Sequence, residues 1–145
     1  MSTPYEKDVV AWATEQAALL RAGNLLAIDV RNIAEELECL ARTEQSVLTT
    51  LMSGLMSKLL KWHYQPLQRG ASLEKSIKAN RIEMEFTIKE APSLNNRLSD
   101  NDWLNLAWAK AVAKAIEDTG LNGFPDAMMW TMSDIRNSEF LPDSV

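Results

Sequence analysis

The stretch DVRNIAEELECLARTEQSVLTTLMSGLMSKLLKW, Asp29 to Trp62, decides the fold. Its apolar residues Ile33, Leu37, Leu40, Val47, Leu48, Leu51, Leu55 and Leu59 recur at three- and four-residue spacing, which puts them on one face of an α-helix. Asp29 is suited to cap the first turn, with Ile28 and Ile33 in the two positions of a hydrophobic staple. No proline intervenes before Pro66, so the spacing predicts one helix of 34 residues, about 50 Å long at 1.5 Å per residue. Gly54, inside it, predicts a close helix approach or a bend.

Signals on either side set shorter helices. Thr3-Pro4-Tyr5-Glu6 reads as an N-cap, a proline at the first helical position and a capping-box glutamate, with Gly23 as the stop after about Ala22. Beyond the breaker-rich connection His63 to Gly70, Ser72 is expected to cap a third helix with stripe Leu73, Ile77, Met84 and Ile88, ended by Pro92. Ser99 to Asp102 reads as a second capping box, with Leu98 and Trp103 as its staple. The helix it opens should run to Thr119 and stop at Gly120-Leu121. The rest holds one short helix near Thr131 to Asn137 and the aromatic anchors Phe124, Trp130 and Phe140. No segment alternates with period two, so strands are not expected. The expectation is an all-α protein with one long central helix: a four-helix up-and-down bundle over residues 1–121 and an irregular C-terminal tail, 122–145, packed on it as one domain. The first helix covers only part of the second. The far half needs helices three and four, the tail or a second subunit, which favours a homo-oligomer or a protein partner.

At 145 residues with 46% hydrophobic and 24% charged side chains, the chain can bury a core. The formal charge of −5 argues against a general nucleic-acid binder. One cysteine, Cys39, excludes an internal disulfide and fits a reducing compartment; one histidine, His63, excludes a multi-histidine metal site. Acidic residues near the start do not resemble a signal peptide, and no apolar run is long enough to span a membrane, so a cytoplasmic protein is expected. No Gly-rich phosphate loop, nucleophile elbow or zinc signature is present, and no cofactor is expected. Cys39 and His63 stand too far apart along the long helix to form a catalytic pair.

Several strings run in a family-like order: Tyr5 to Asp8 with Trp12, Leu20-Arg21, Asp29 with Asn32, Glu35-Glu36 with Glu38, Glu44, Leu59-Leu60-Lys61-Trp62, Gln65-Pro66, Ile77 with Arg81, Pro92-Ser93-Leu94, Thr119-Gly120-Leu121, Phe124-Pro125 and Trp130. Together they resemble the bacterial domain-of-unknown-function family numbered 29, across nearly the whole chain. Lys58, Leu73 and Met129 depart from that pattern, which often has His, Trp and Pro there. The resemblance implies an α-helical bacterial protein and assigns no activity.

Two polar residues interrupt apolar stripes. Glu44 falls about 20° from Leu37 around the long helix, so a buried carboxylate is expected, satisfied by Tyr5, Trp12 or Trp103. Arg81 intrudes between Ile77 and Met84; its level on the long helix is near residue 53. Its expected partners are Ser53, Ser57 or Glu85, or it snorkels to solvent. Glu36 and Glu44 are weak metal candidates, because carboxylate metal sites in bundles need Glu-x-x-His motifs that this chain lacks. Residues 58 to 81 carry a net +5 and the remainder −10. Lys58, Lys61, His63, Arg69, Lys75 and Lys78 are therefore candidates to hold an anion, such as a phosphate or a nucleic-acid backbone. The leading functional expectation is a non-enzymatic interaction module or oligomeric subunit. A nucleic-acid- or phosphate-associated protein comes second and a carboxylate-metal enzyme third.

Overall fold

Asp8, not Thr3, starts the first helix. Its side chain accepts the Ala11 N–H at 3.1 Å, and α1 spans Val9–Arg21. Thr3 is turned instead toward Glu15, giving it the backbone N–H at 2.6 Å and the hydroxyl at 2.7 Å. The Pro4 signal thus marks a turn ahead of the helix. The computed structural model describes residues 3–143, and among them it contains helices and no strand. The long helix is α2, Val30–Tyr64; α3 is Ala71–Glu90, α4 is Asn101–Thr119 and α5 is Met132–Arg136. A short 3-10 segment, Pro66–Gln68, lies in the connection expected to be non-helical, and another, Pro92–Ser99, joins α3 to α4.

The stop at Gly120 is as expected: it takes φ 73°, a left-handed conformation that only glycine adopts without strain, and caps α4. Two further starts differ by a residue or more. Gly70 precedes α3 without any side-chain cap, so Ser72 lies inside the helix. Asp100 caps α4 by accepting the Asp102 and Trp103 N–H groups, while the Ser99 hydroxyl is bonded to the Asn96 carbonyl.

The chain divides into two compact units, Met1–Glu44 and Gln45–Val145. In the first, Trp12 is buried and its indole N–H donates to Asp29 Oδ2 at 3.0 Å. Asp29 also takes the backbone N–H and side-chain amide of Asn32, at 3.3 and 2.8 Å, and so caps α2 as expected. Its own N–H donates to the buried Gln16 at 2.7 Å. The Tyr5 hydroxyl donates to Glu36, and its ring stands edge-on to Trp12 at 4.9 Å.

The second unit holds the main core. Leu48, Met52, Leu55, Met56, Leu59 and Leu60 of α2 join Ile77, Met84 and Ile88 of α3, Trp103, Ala107, Trp108, Ala111 and Ala115 of α4, and Ile135 of α5. Removing the buried methylenes of any one Leu here would cost about 2–5 kcal/mol. Trp103 donates to Thr49 at 2.9 Å and Lys61 pairs with Asp118, so α4 runs parallel to this part of α2. Asn80 of α3 donates to the Leu51 carbonyl at 2.8 Å and accepts from Lys58 at 2.9 Å, beside Gly54. Gly54 thus faces α3 at Asn80, where a Cβ would meet only an ordinary 3.4 Å contact, and the level expected for Arg81, near residue 53, agrees with these bonds.

Candidate functional site

Glu44 is exposed, which corrects its placement among buried polar groups. The stripe continues through it in sequence, but Leu37 and Leu40 just before it are themselves exposed, so no apolar surround forms there. Its expected donors are engaged elsewhere: Tyr5 with Glu36, Trp12 with Asp29, and Trp103 with Thr49. The hydrogen bond to Glu36 pushes the Tyr5 hydroxyl pKa up. Among the described residues no three His, Cys, Asp or Glu side chains come together as a metal-binding group, and Glu36 and Glu44 belong to none.

The basic hairpin is dispersed rather than gathered. Lys61 forms an ion pair with Asp118, whose carboxyl is held below its ordinary pKa chiefly by that bond. Arg69 folds back, donating Nε to the Trp62 carbonyl at 2.7 Å and Nη2 to the Pro142 carbonyl at 3.4 Å, with its guanidinium 5.3 Å from the Trp62 ring. His63 is packed edge-on against Tyr64 and Trp130. Lys58 is partly buried against Asn80, and burial, with Lys61 nearby, lowers its pKa. Lys58 and Lys61 line a shallow groove of about 630 Å³ with Gln68, Ser72, Ser76 and Asp118. Lys75 is exposed and outside that groove, and Lys78 lines a different cavity. Four of the six candidates, Lys58, Lys61, His63 and Arg69, are thus engaged within the fold, and Lys75 and Lys78 do not converge with them.

Arg81 is buried, at 4% exposure, as a polar residue set within an apolar stripe was expected to be, and the snorkelling alternative does not hold. None of its expected partners bonds it. Its Nε donates to the Ile135 carbonyl of α5 at 2.8 Å, and its guanidinium lies 5.9 Å from the Phe140 ring centre. Glu85 is instead taken by Arg136. Burial lowers the Arg81 pKa. Arg81 and Lys78 line a cavity of about 130 Å³ with Glu74, Ser138, Glu139 and Leu141.

A family model described as "Domain of unknown function DUF29" matches residues 4–141. The chain belongs to the DUF29 family. Searches among curated proteins and among solved structures each found no match. Several residues by which the chain resembles DUF29 form two hydrogen-bonded groups, Tyr5 with Glu36, and Trp12 and Asn32 with Asp29, which meet at the edge-on contact of the Tyr5 and Trp12 rings. In this DUF29 member those residues organise the first unit. Sequence reasoning missed the tail's share in the Arg81 surroundings, because Ile135 and Phe140 are remote in sequence and a backbone carbonyl leaves no mark in composition. The only signal was the aromatic content of the tail.

No helix of the described residues is long and apolar enough to cross a membrane.

Proposed function

We propose that this DUF29 protein is a non-enzymatic helical interaction module that pairs with a second copy of itself along the first part of α2. The observation that carries this reading is a run of exposed apolar side chains: Val30, Leu37 and Leu40 are 64%, 63% and 59% exposed. With the half-buried Ile33 they follow spacings of three, four and three residues, the pattern of a coiled-coil seam. Ala34 and Ala41 flank the seam and let another helix approach closely. A seam of this spacing is complementary to a helix of the same spacing, and a second copy supplies one. Leu25 and Leu26, both exposed, enlarge the same unit's apolar surface beyond what scattered surface leucines provide. Glu44 continues the seam, so a parallel in-register pair would set two carboxylates face to face; the antiparallel arrangement avoids this.

The finer architecture that accompanies this reading is a four-helix up-and-down bundle in one domain of a bacterial cytoplasmic protein. Nucleic acid is the weaker reading, since Lys61 and Arg69 are already engaged within the fold.

Light scattering on the full chain tests the proposal. A dimer is expected, and the double variant Leu37→Glu, Leu40→Glu should be monomeric with unchanged helical content. A wild-type monomer at about 100 μM, where even a weak association of roughly −5.5 kcal/mol would show, overturns it.

A further inference from the structure

Arg81 presents a charge that the fold leaves incompletely satisfied. The residue is 4% exposed, its Nε is committed to the Ile135 carbonyl, and its Nη2 is buried with no hydrogen-bond partner among the described residues. No carboxylate of the described residues lies within ion-pair distance of it. The Phe140 ring, 5.9 Å away, attracts the charge but accepts no ordinary hydrogen bond. A buried cation without an anion is costly, and a fork of N–H donors is shaped for the oxygens of a carboxylate or phosphate. A water molecule would satisfy the hydrogen bond and leave the charge uncompensated.

The cavity beside it has the means to hold such a group. Lys78 adds a second positive charge at an exposed edge, Ser138 adds a hydroxyl, and Leu141 forms an apolar wall. Glu74 and Glu139 also line it. They disfavour a ligand of high negative charge, and a volume of about 130 Å³ is too small for a nucleotide. We propose that Arg81 and Lys78 form a binding site for one small oxyanion, a carboxylate or an inorganic phosphate, at the cavity between α3 and the C-terminal tail. The site is independent of the dimer seam, and neither proposal requires the other.

The test is a titration of the ¹⁵N-labelled full chain in chloride buffer with acetate and, separately, with inorganic phosphate at constant ionic strength, following the guanidinium signals of Arg81. Saturable shifts with one of the two anions name the source, and shifts with both support the shared oxyanion chemistry. Lys78→Ala should weaken the binding about two- to fivefold, the range for one exposed charge, and Glu139→Gln should tighten it by a similar factor. Arg81→Lys, which keeps the charge and loses the fork, should abolish it, as read in both proteins from the backbone amide signals of Lys78 and Ser138 in the cavity lining. If that variant does not fold, the two surface variants still decide. The proposal is overturned if neither anion shifts Arg81 beyond the chloride control by about 50 mM, a binding energy under roughly 2 kcal/mol. It is overturned equally if Lys78→Ala and Glu139→Gln leave the binding unchanged, or if Glu139→Gln alone unfolds the protein, which would make Glu139 the partner of Arg81.

Discussion

Arg136 grips Glu85 through two donors, Nε and Nη2, each 2.7 Å from a carboxylate oxygen, and so ties α5 to α3 across 51 residues of chain. The hydrogen bonds from Arg136 hold the Glu85 carboxyl below its ordinary pKa of 4.5. A carboxyl whose folded pKa lies below the unfolded value contributes its stability above the unfolded value, and loses it as pH falls through the folded one. Stability should therefore have an acid limb below about pH 4.5. Both side chains are a third or more exposed, so Glu85→Gln should cost only about 0.5 kcal/mol at neutral pH. Urea titrations at pH 7 and pH 4 check this: the two proteins should differ at pH 7 and converge at low pH.

Trp12 fills the first unit and donates to Asp29, the residue that caps α2. Trp12→Phe keeps an aromatic ring and removes the donor. The expected loss is about 1–3 kcal/mol, from the broken bond to a charged acceptor and the smaller ring. Thermal unfolding followed by circular dichroism is the measurement, and an unchanged midpoint would show that this contact contributes nothing.

Gly54→Ala should be tolerated. A Cβ there would meet Asn80 Oδ1 at 3.4 Å, an ordinary contact, while a glycine within a helix is the less favourable residue. The expected result is a gain of up to about 1 kcal/mol. A loss of similar size would mean that Asn80 cannot yield without breaking its bonds to Lys58 and the Leu51 carbonyl.

Lys58 is charged where burial disfavours charge, and its pKa is lowered for that reason first. Lys58→Gln keeps a donor for Asn80 Oδ1 and removes the desolvated ammonium. Its stability at pH 7 should equal or exceed that of the wild type by up to about 0.5 kcal/mol, since the side chain is only partly buried. Denaturation that begins at lower urea in the variant would show that the ammonium itself is needed.

Local signals were the legible part of the sequence. Asp29 and Gly120 act within a few residues, and each does what its neighbours imply. The misreadings share a cause. Thr3 and Pro4 form a plausible cap, yet Thr3 is drawn to Glu15 twelve residues away. Glu44 lies in the stripe by angle, but a stripe specifies a direction and not a neighbour, and burial begins only at Leu48. The positive charge of residues 58 to 81 was visible in sequence. That Lys61 and Arg69 spend theirs on Asp118 and on the Trp62 and Pro142 carbonyls depends on contacts up to 73 residues distant.

Three grips hold the tail: Arg69 on the Pro142 carbonyl, Arg81 on the Ile135 carbonyl, and Glu85 on Arg136. Trp108 of α4 likewise donates to the Pro125 carbonyl at 3.0 Å. During synthesis, then, α3 and α4 emerge from the ribosome with partners still unmade, and this side of the core stays open until residues 125–142 have been added. A product of premature termination after α4 would carry Trp108 without its acceptor and Arg81 without its carbonyl, and would present that uncovered surface to chaperones and proteases.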